Sequence, residues 1–158
     1  MLRYMVLSDS HRAAGRLARA AEVYARGGFD GCIHLGDVHS DARRFAELTG
    51  TEPLCVRGNC DPPLCPAPAE RVEALGGVRF FLAHGDRYGV KSSLTRLSYR
   101  AEEQGCQAAL FGHTHTAFCG YVGAALLLNP GALKDGRYAI VTVEGGRIVP
   151  RLCDLEGL

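Results

Sequence analysis

Aspartate, histidine and asparagine recur beside glycine or serine at five places along this chain. They are Asp9-Ser10-His11, Gly36-Asp37, Gly58-Asn59-Cys60-Asp61, His84-Gly85-Asp86 and Gly112-His113-Thr114-His115. Carboxylate, imidazole and amide oxygen together make a ligand set of intermediate hardness, which suits Mn²⁺, Fe, Ni²⁺ or Zn²⁺ better than Ca²⁺. Taken singly, each place has an ordinary explanation. Asp9 would serve as a helix cap, Gly36-Asp37 and Gly58-Asn59 are common turns, and short motifs carry a high false-positive rate. His113-x-His115 says more, because alternate residues of an extended chain project to one side. The joint pattern decides. Four of the six histidines, with Asp9 and Asp37, sit where a short apolar run ends and a loop begins. His34, inside an apolar run, reads as a core histidine with one hydrogen bond.

The elements that must position these groups follow from periodicity. Tyr4–Ser8 is an apolar run of strand length. From Arg12 to Arg26, Leu17, Ala20, Ala21 and Tyr24 fall at i, i+3, i+4 and i+7, an amphipathic helix closed by Gly27-Gly28. Cys32–Leu35 is a second strand, Ser40 caps a helix through Leu48, and Pro53–Val56 is a third strand. Strand, helix, strand, helix, strand is the signature of parallel βαβ units, in which function gathers at the carboxyl ends of the strands. Asp61–Pro68 carries four prolines and is an irregular loop. Arg71–Ala74 and Val78–Ala83 make a hairpin across Gly76-Gly77. Ser92 or Ser93 caps a helix that presents Leu94, Leu97 and Ala101 and stops at Gly105. Ala108–Phe111 is a buried strand, and Thr116–Tyr121, Ala124–Leu128, Arg137–Val143 and Arg147–Leu152 read as further short strands. The expectation is an α/β fold, parallel in front and mainly antiparallel behind, which a two-sheet β-sandwich flanked by helices accommodates.

The bulk numbers narrow the function. A chain of 158 residues has the size of one domain, 1–158, with 47% hydrophobic and 22% charged residues. Eighteen Lys and Arg against seventeen Asp and Glu leave a net charge of +1, so a long nucleic acid is not an expected partner. The longest apolar run, Ala124–Leu128, is far too short to cross a bilayer, and the first residues lack a signal-peptide layout. Seven cysteines without a C-x-x-C spacing argue against a disulfide framework or a zinc knuckle. The expected location is the cytoplasm, with reduced thiols.

In this order, Asp9-x-His11, Gly36-Asp37, Gly58-Asn59, His84-Gly85 and Gly112-His113-x-His115 resemble the calcineurin-like metallophosphoesterase superfamily. The compact length, Val56-Arg57-Gly58-Asn59-Cys60-Asp61 and the later Leu128-Asn129-Pro130-Gly131 resemble its small bacterial and archaeal phosphodiesterase branch. The resemblance runs from Asp9 to Gly131. It implies a four-layer fold and two divalent ions, Mn²⁺ before Fe, Ni²⁺ or Zn²⁺, bridged by Asp37. Asp9, His11 and His115 would hold one ion; Asn59, His84 and His113 the other. It also implies hydrolysis of a small phosphodiester or other phosphate ester by in-line attack of a hydroxide held at the dinuclear centre, without a covalent phospho-enzyme. The alternatives are a phosphomonoesterase, or a non-catalytic scaffold like the retromer subunit of similar size. That subunit has a degraded ligand set, whereas every ligand position is filled here. A homodimer stays open.

Two positions depart from the pattern. Many superfamily members have Gly-Asn-His where this chain has Cys60, and a thiol is a weaker donor than imidazolium. The residues expected to act in catalysis are therefore Asp37, Asn59, Cys60 and Asp61, with Asp61 the candidate for helping the leaving group depart. Asp86 stands where the branch often has histidine, and its charge would disfavour highly anionic monoesters. Arg57, His39 and Arg87 adjoin ligands and are candidates for phosphate contact, Arg57 first.

Overall fold

The computed structural model describes residues 1–156. In chain order the elements are β1 (Leu2–Leu7), α1 (Ala14–Arg26), β2 (Gly31–His34), α2 (His39–Thr49), β3 (Leu54–Cys55), β4 (Glu70–Leu75), β5 (Val78–Ala83), α3 (Thr95–Glu103), β6 (Ala108–Leu110), β7 (Phe118–Val122), β8 (Ala125–Asn129), β9 (Arg137–Glu144) and β10 (Arg147–Asp154). Short 3-10 turns occupy Asp86–Tyr88 and Leu133–Asp135. Two five-stranded sheets form, in the orders β10-β9-β1-β2-β3 and β4-β5-β6-β8-β7.

Strand alternation builds the layers. In β1, Val6 faces one side while Met5 and Leu7 face the other; in β5, Phe80 and Leu82 oppose Phe81 and Ala83. Val6, Ile33 and Val141 of the first sheet meet Phe80, Leu82, Leu110 and Leu128 of the second in the central core. Met5 and Leu7 instead pack beneath Leu17, Ala20 and Ala21 of α1 and Phe45 of α2. Phe81, Ala109 and Leu127 pack beneath Leu97 and Ala101 of α3. Helix, sheet, sheet, helix is the resulting order, the expected flanked sandwich. Because so many strands are covered on both faces, their sequences read as continuous apolar runs.

The second sheet differs from the expectation of mainly antiparallel pairing. β5 pairs with β6 and β6 with β8 in parallel, and only β4 and β7 run antiparallel at its edges. The reason is α3, which carries the chain from β5 back over the outer face, so that β5-α3-β6 is itself a crossover unit. Pairing across the third strand is also shorter than expected, two residues rather than four, because the chain turns toward the site at Val56.

Ser40 does not cap α2, and Ser93 reaches α3 only from one residue ahead of its N-cap position. α2 begins at His39 after Val38, and its first N–H is satisfied from a distance by Asp61 Oδ1, which accepts from His39 N at 2.6 Å. Ser40 is already inside the first turn. α3 begins at Thr95 after Leu94, and Ser93 Oγ accepts from Thr95 N at 3.2 Å. Among the described residues no helix is long and apolar enough to cross a membrane, and all seven cysteines are free.

Candidate metal centre

β1, β2, β3, β5 and β6 point their carboxyl ends toward one edge of the sandwich, and the loops leaving them carry the five motifs. β1 ends into Asp9 and His11, β2 into Asp37, β5 into His84, and β6 into His113 and His115. One ligand atom each from Asp9, His11, Asp37 and His115 lies within 4.8 Å of all the others. Asp9 Oδ1 is 3.1 Å from His115 Nε2, 3.6 Å from His11 Nε2 and 3.8 Å from His84 Nε2. Asp37 Oδ2 is 3.5 Å from His11 Nε2 and 3.3 Å from His84 Nε2, so it stands between two histidines that approach from different strands. The imidazoles fall into two pairs. His11 faces His115 and His84 faces His113, each with ring centroids 5.1 Å apart.

His113-x-His115 thus does bring both rings to the centre, though for a reason other than strand alternation. Both residues lie beyond β6 in a loop, with φ of 69° and 63°. Among the described residues, seven other than glycine have positive φ: Asp9, His11, Arg12, Asp37, Val38, His113 and His115. Five are candidate ligand positions and the other two directly follow one. Left-handed backbone is costly for such residues, and its confinement to this edge marks a site held in shape by its surroundings.

Three buried polar atoms have no hydrogen-bond partner among the described residues: Asp9 Oδ1, His11 Nε2 and His84 Nε2. They aim at the same space. Unpaired polar atoms are expensive inside a protein, and three converging ones fit a cation as their common partner. The neighbouring atoms are already committed elsewhere. Asp9 Oδ2 accepts from Ser8 Oγ at 2.5 Å and from His113 N at 3.1 Å, which leaves Oδ1 for the centre. His84 Nδ1 donates to the Leu35 carbonyl at 2.8 Å, which leaves the Nε2 lone pair pointing inward. Asp37 Oδ1 accepts from Cys60 N at 2.9 Å, which leaves Oδ2. The donor set is carboxylate and imidazole, and it fits a divalent ion of borderline character.

The model of the calcineurin-like phosphoesterase superfamily domain matches residues 2–146. The chain belongs to that superfamily. A Bacillus subtilis protein named probable metallophosphoesterase YsnB is 32% identical over 160 residues, covering 97% of this chain and 91% of the other. Phosphodiesterase YfcE of Escherichia coli K12 is 28% identical over 156 residues, covering 85% and 80%. A solved structure from Streptococcus pneumoniae, described as a predicted phosphoesterase, superposes with a TM-score of 0.80 at 26% identity, covering 98% and 90%. Calcineurin-like phosphoesterases are metal-dependent, and the Asp and His cluster of this one is where a metal fits.

Charge in this phosphoesterase centre follows from its neighbours. Burial opposes the Asp37 carboxylate, yet His84 and the Cys60 N–H outweigh it and hold the acid well below the usual carboxylate range. Burial likewise pulls His84 down, but Asp37 and Asp9 overcome it and raise the imidazole above its ordinary value. His113 is lowered by burial and by His84 and Lys91. The Cys60 thiol is raised, first by burial and then by Asp37, so it stays neutral.

Three of the remaining sequence candidates lie at the rim. Asn59 and Cys60 are exposed on the turn Gly58–Asp61, and Asp86 is exposed beyond β5. Arg57, Asn59, Asp86 and Arg87 line one polar cleft there. Arg57 also donates to the Pro63 carbonyl at 3.2 Å, which braces the loop. Asp61 has both oxygens occupied: Oδ1 by His39 N and Oδ2 by Gly58 N at 2.9 Å.

Close packing makes two glycines obligatory. A Cβ at Gly58 would fall 2.1 Å from Asp37 Oδ1, and one at Gly112 would fall 2.0 Å from Ser8 Oγ and 2.6 Å from Asp9 Oδ2.

Sequence reading missed the residues that hold the ligands still. His34 is wholly buried, its Nδ1 accepting from Gly36 N at 3.3 Å and its Nε2 3.0 Å from Ser10 Oγ. It makes two bonds, not one, and they join the Asp9 and Asp37 loops. Burial pushes its pKa down to about 4, so the ring is neutral with the proton on Nε2. Asp41 accepts from Arg12 N at 2.8 Å. Asn129 donates to the Gly112 carbonyl and to Thr114 Oγ1, both at 3.0 Å, and accepts from Gly131 N at 2.8 Å. The available signal was polar residues embedded in apolar strands: Ser8 and Ser10 around Asp9, His34 in β2, Asn129 ending β8.

Proposed function

We propose that this protein is a phosphodiesterase that works with two divalent ions, Mn²⁺ first among Fe, Ni²⁺ and Zn²⁺, on small phosphodiester substrates in the cytoplasm. The observation that carries the reading is the convergence of Asp9 Oδ1, His11 Nε2 and His84 Nε2, buried and unpartnered, around Asp37. The pairing of His11 with His115 and of His84 with His113 supports a division into two sets, with Asp9 nearest the first and Asp37 shared; the place of Asn59 in the second set rests on the family resemblance alone. The name of the E. coli relative, phosphodiesterase, supports the diester. Divalent ions supply Lewis acidity toward the phosphoryl oxygens and make water acidic enough to attack near neutral pH.

The chain's own part is to keep the ligands in place and the site free of competing acids and nucleophiles. Cys60 acts through its N–H, which fixes Asp37, while its thiol remains protonated and outside the attack. Asp61 is a positioning residue: both of its oxygens accept N–H bonds, so it holds the Gly58 turn against the start of α2 instead of supplying a proton. With no imidazolium at position 60, the rate falls steeply as the leaving group becomes more basic. Three converging unsatisfied ligand atoms would be a stability cost without use in a pure scaffold, which sets that reading behind catalysis.

The test is a matrix of metals against substrates. Mn²⁺-dependent hydrolysis of bis-p-nitrophenyl phosphate is expected to exceed that of p-nitrophenyl phosphate. Asp37→Ala and His115→Ala are each expected to lower kcat/KM by about two or more orders of magnitude. A folded, metal-loaded wild type that hydrolyses no phosphate ester sinks the proposal.

A further inference from the structure

The turn that carries Asn59 and Cys60 separates two depressions at the rim of the centre. The one holding Arg57, Asn59 and Arg87 is polar. The other is a groove of about 450 Å³ lined by Arg12, Val38, Cys60, Pro62, Leu64 and Pro66 among others. Three of these residues tie it to the chemistry. Arg12 follows His11, Val38 follows Asp37, and Cys60 N–H donates to Asp37. The groove therefore runs alongside the loops that carry His11 and Asp37.

Its outer wall is held out deliberately by local structure. Cys65 and Ala67 bury themselves against Ala42 and Cys55. Successive turns, Asp61 N to the Gly58 carbonyl at 3.1 Å and Cys65 N to the Pro62 carbonyl at 2.9 Å, fix the chain between. The prolines at 62, 63, 66 and 68 stiffen it further. Leu64, between these anchors, is 95% exposed. A single exposed leucine means little; here it shares a groove with Val38, Pro62 and Pro66, and the polar His39, Ser40, Arg43 and Asp61 make up the rest of the lining. Arg12, whose guanidinium makes no ion pair among the described residues, lines the groove with them.

We infer that this groove selects the substrate: it receives an apolar, ring-sized ester group of the phosphodiester, with Leu64 as the outer wall and Arg12 over the phosphate side. The inference rests on the phosphodiesterase reading and specifies its substrate class. A volume of this order is that of a small-molecule site, roughly 300–1,000 Å³, and suits a ring far better than a methyl group.

The test compares phenyl p-nitrophenyl phosphate with methyl p-nitrophenyl phosphate, which share a leaving group and differ in the retained arm. With the Mn²⁺-loaded full chain, kcat/KM is expected to favour the phenyl ester by about tenfold. Leu64→Ser removes the wall, and Ser40→Trp, from the exposed first turn of α2 that also borders the groove, fills the space. Each is expected to bring the ratio down toward unity through KM. Calorimetry with phenylphosphonate and methylphosphonate reads the same preference without turnover. A wild type that prefers phenylphosphonate but hydrolyses no diester keeps the groove and overturns the phosphodiesterase reading. Equal affinity for the two phosphonates, or a ratio that neither substitution moves, overturns the groove.

Discussion

At the scale of single residues the centre depends on atoms that are absent as much as on those present. Gly58 lies so close to Asp37 that a methyl group would displace the carboxylate. Gly58→Ala is expected to reduce kcat by about a hundredfold, because an ångström of misplacement at a reacting centre is that costly. Metal titration would show weaker binding, while circular dichroism would show an intact fold. His34 makes a second prediction, on stability. Its folded pKa, about 4, lies below the ordinary 6.5. Above pH 6.5 the ring is neutral in both folded and unfolded chains and contributes no slope. As pH falls from 6.5 toward 4, only the unfolded chain takes up the proton, so stability falls by about 3 kcal/mol over that window. Urea unfolding of His34→Gln, which cannot be protonated, should show a shallower acid limb than wild type. An identical limb would mean that other groups govern acid unfolding.

At the scale of elements, Asp61 joins the loop after β3 to the first turn of α2. Asp61→Ala is expected to cost about 1–2 kcal/mol in denaturant unfolding, the usual loss for a helix-capping acceptor. Asp61→Asn, which keeps one acceptor oxygen, should lose less stability and leave the pH–rate profile in place. A vanished alkaline limb in Asp61→Asn would instead restore it as the acid for the leaving group. The same residue shows where reading the sequence stopped. The helices, the five strand ends and the convergence of Asp9, His11, Asp37 and His115 were legible because they rest on local periodicity and on glycine or serine beside Asp or His. The cap on α2 was assigned to Ser40 because capping rules look a few residues away, whereas the actual acceptor comes from position 61. The parallel pairing of β5, β6 and β8 was hidden for a similar reason: short buried strands look alike in either direction. Left-handed backbone at Asp37 or His113 has no local signal either, since the surrounding structure imposes it.

At the scale of the whole molecule, the centre sits where both sheets end, so every core layer bears on it and the ligands bear on the fold in return. Asp9, His11 and Asp37 come from the first sheet; His84, His113 and His115 come from the second. An ion held between them would cross-link the two sheets. Ion binding is therefore expected to stabilise the fold. At an Mn²⁺ concentration a hundred times Kd the gain is about 2.7 kcal/mol, a rise in Tm of roughly 5–11 °C for a chain of this size. The pH dependence has a definite sign. Without metal, protonated His84 is favoured by Asp37 and Asp9, and that contribution, complete below the ordinary histidine value, is lost as pH rises through the raised one. Metal needs the same Nε2 unprotonated, so its stabilising effect grows with pH as the proton's declines. Differential scanning fluorimetry with and without Mn²⁺ between pH 5 and 8 should show two curves that converge in acid and separate in base. Asp37→Asn, which weakens the proton's hold and the ion's together, should compress both. Parallel curves across the range would mean that any ion binds away from His84.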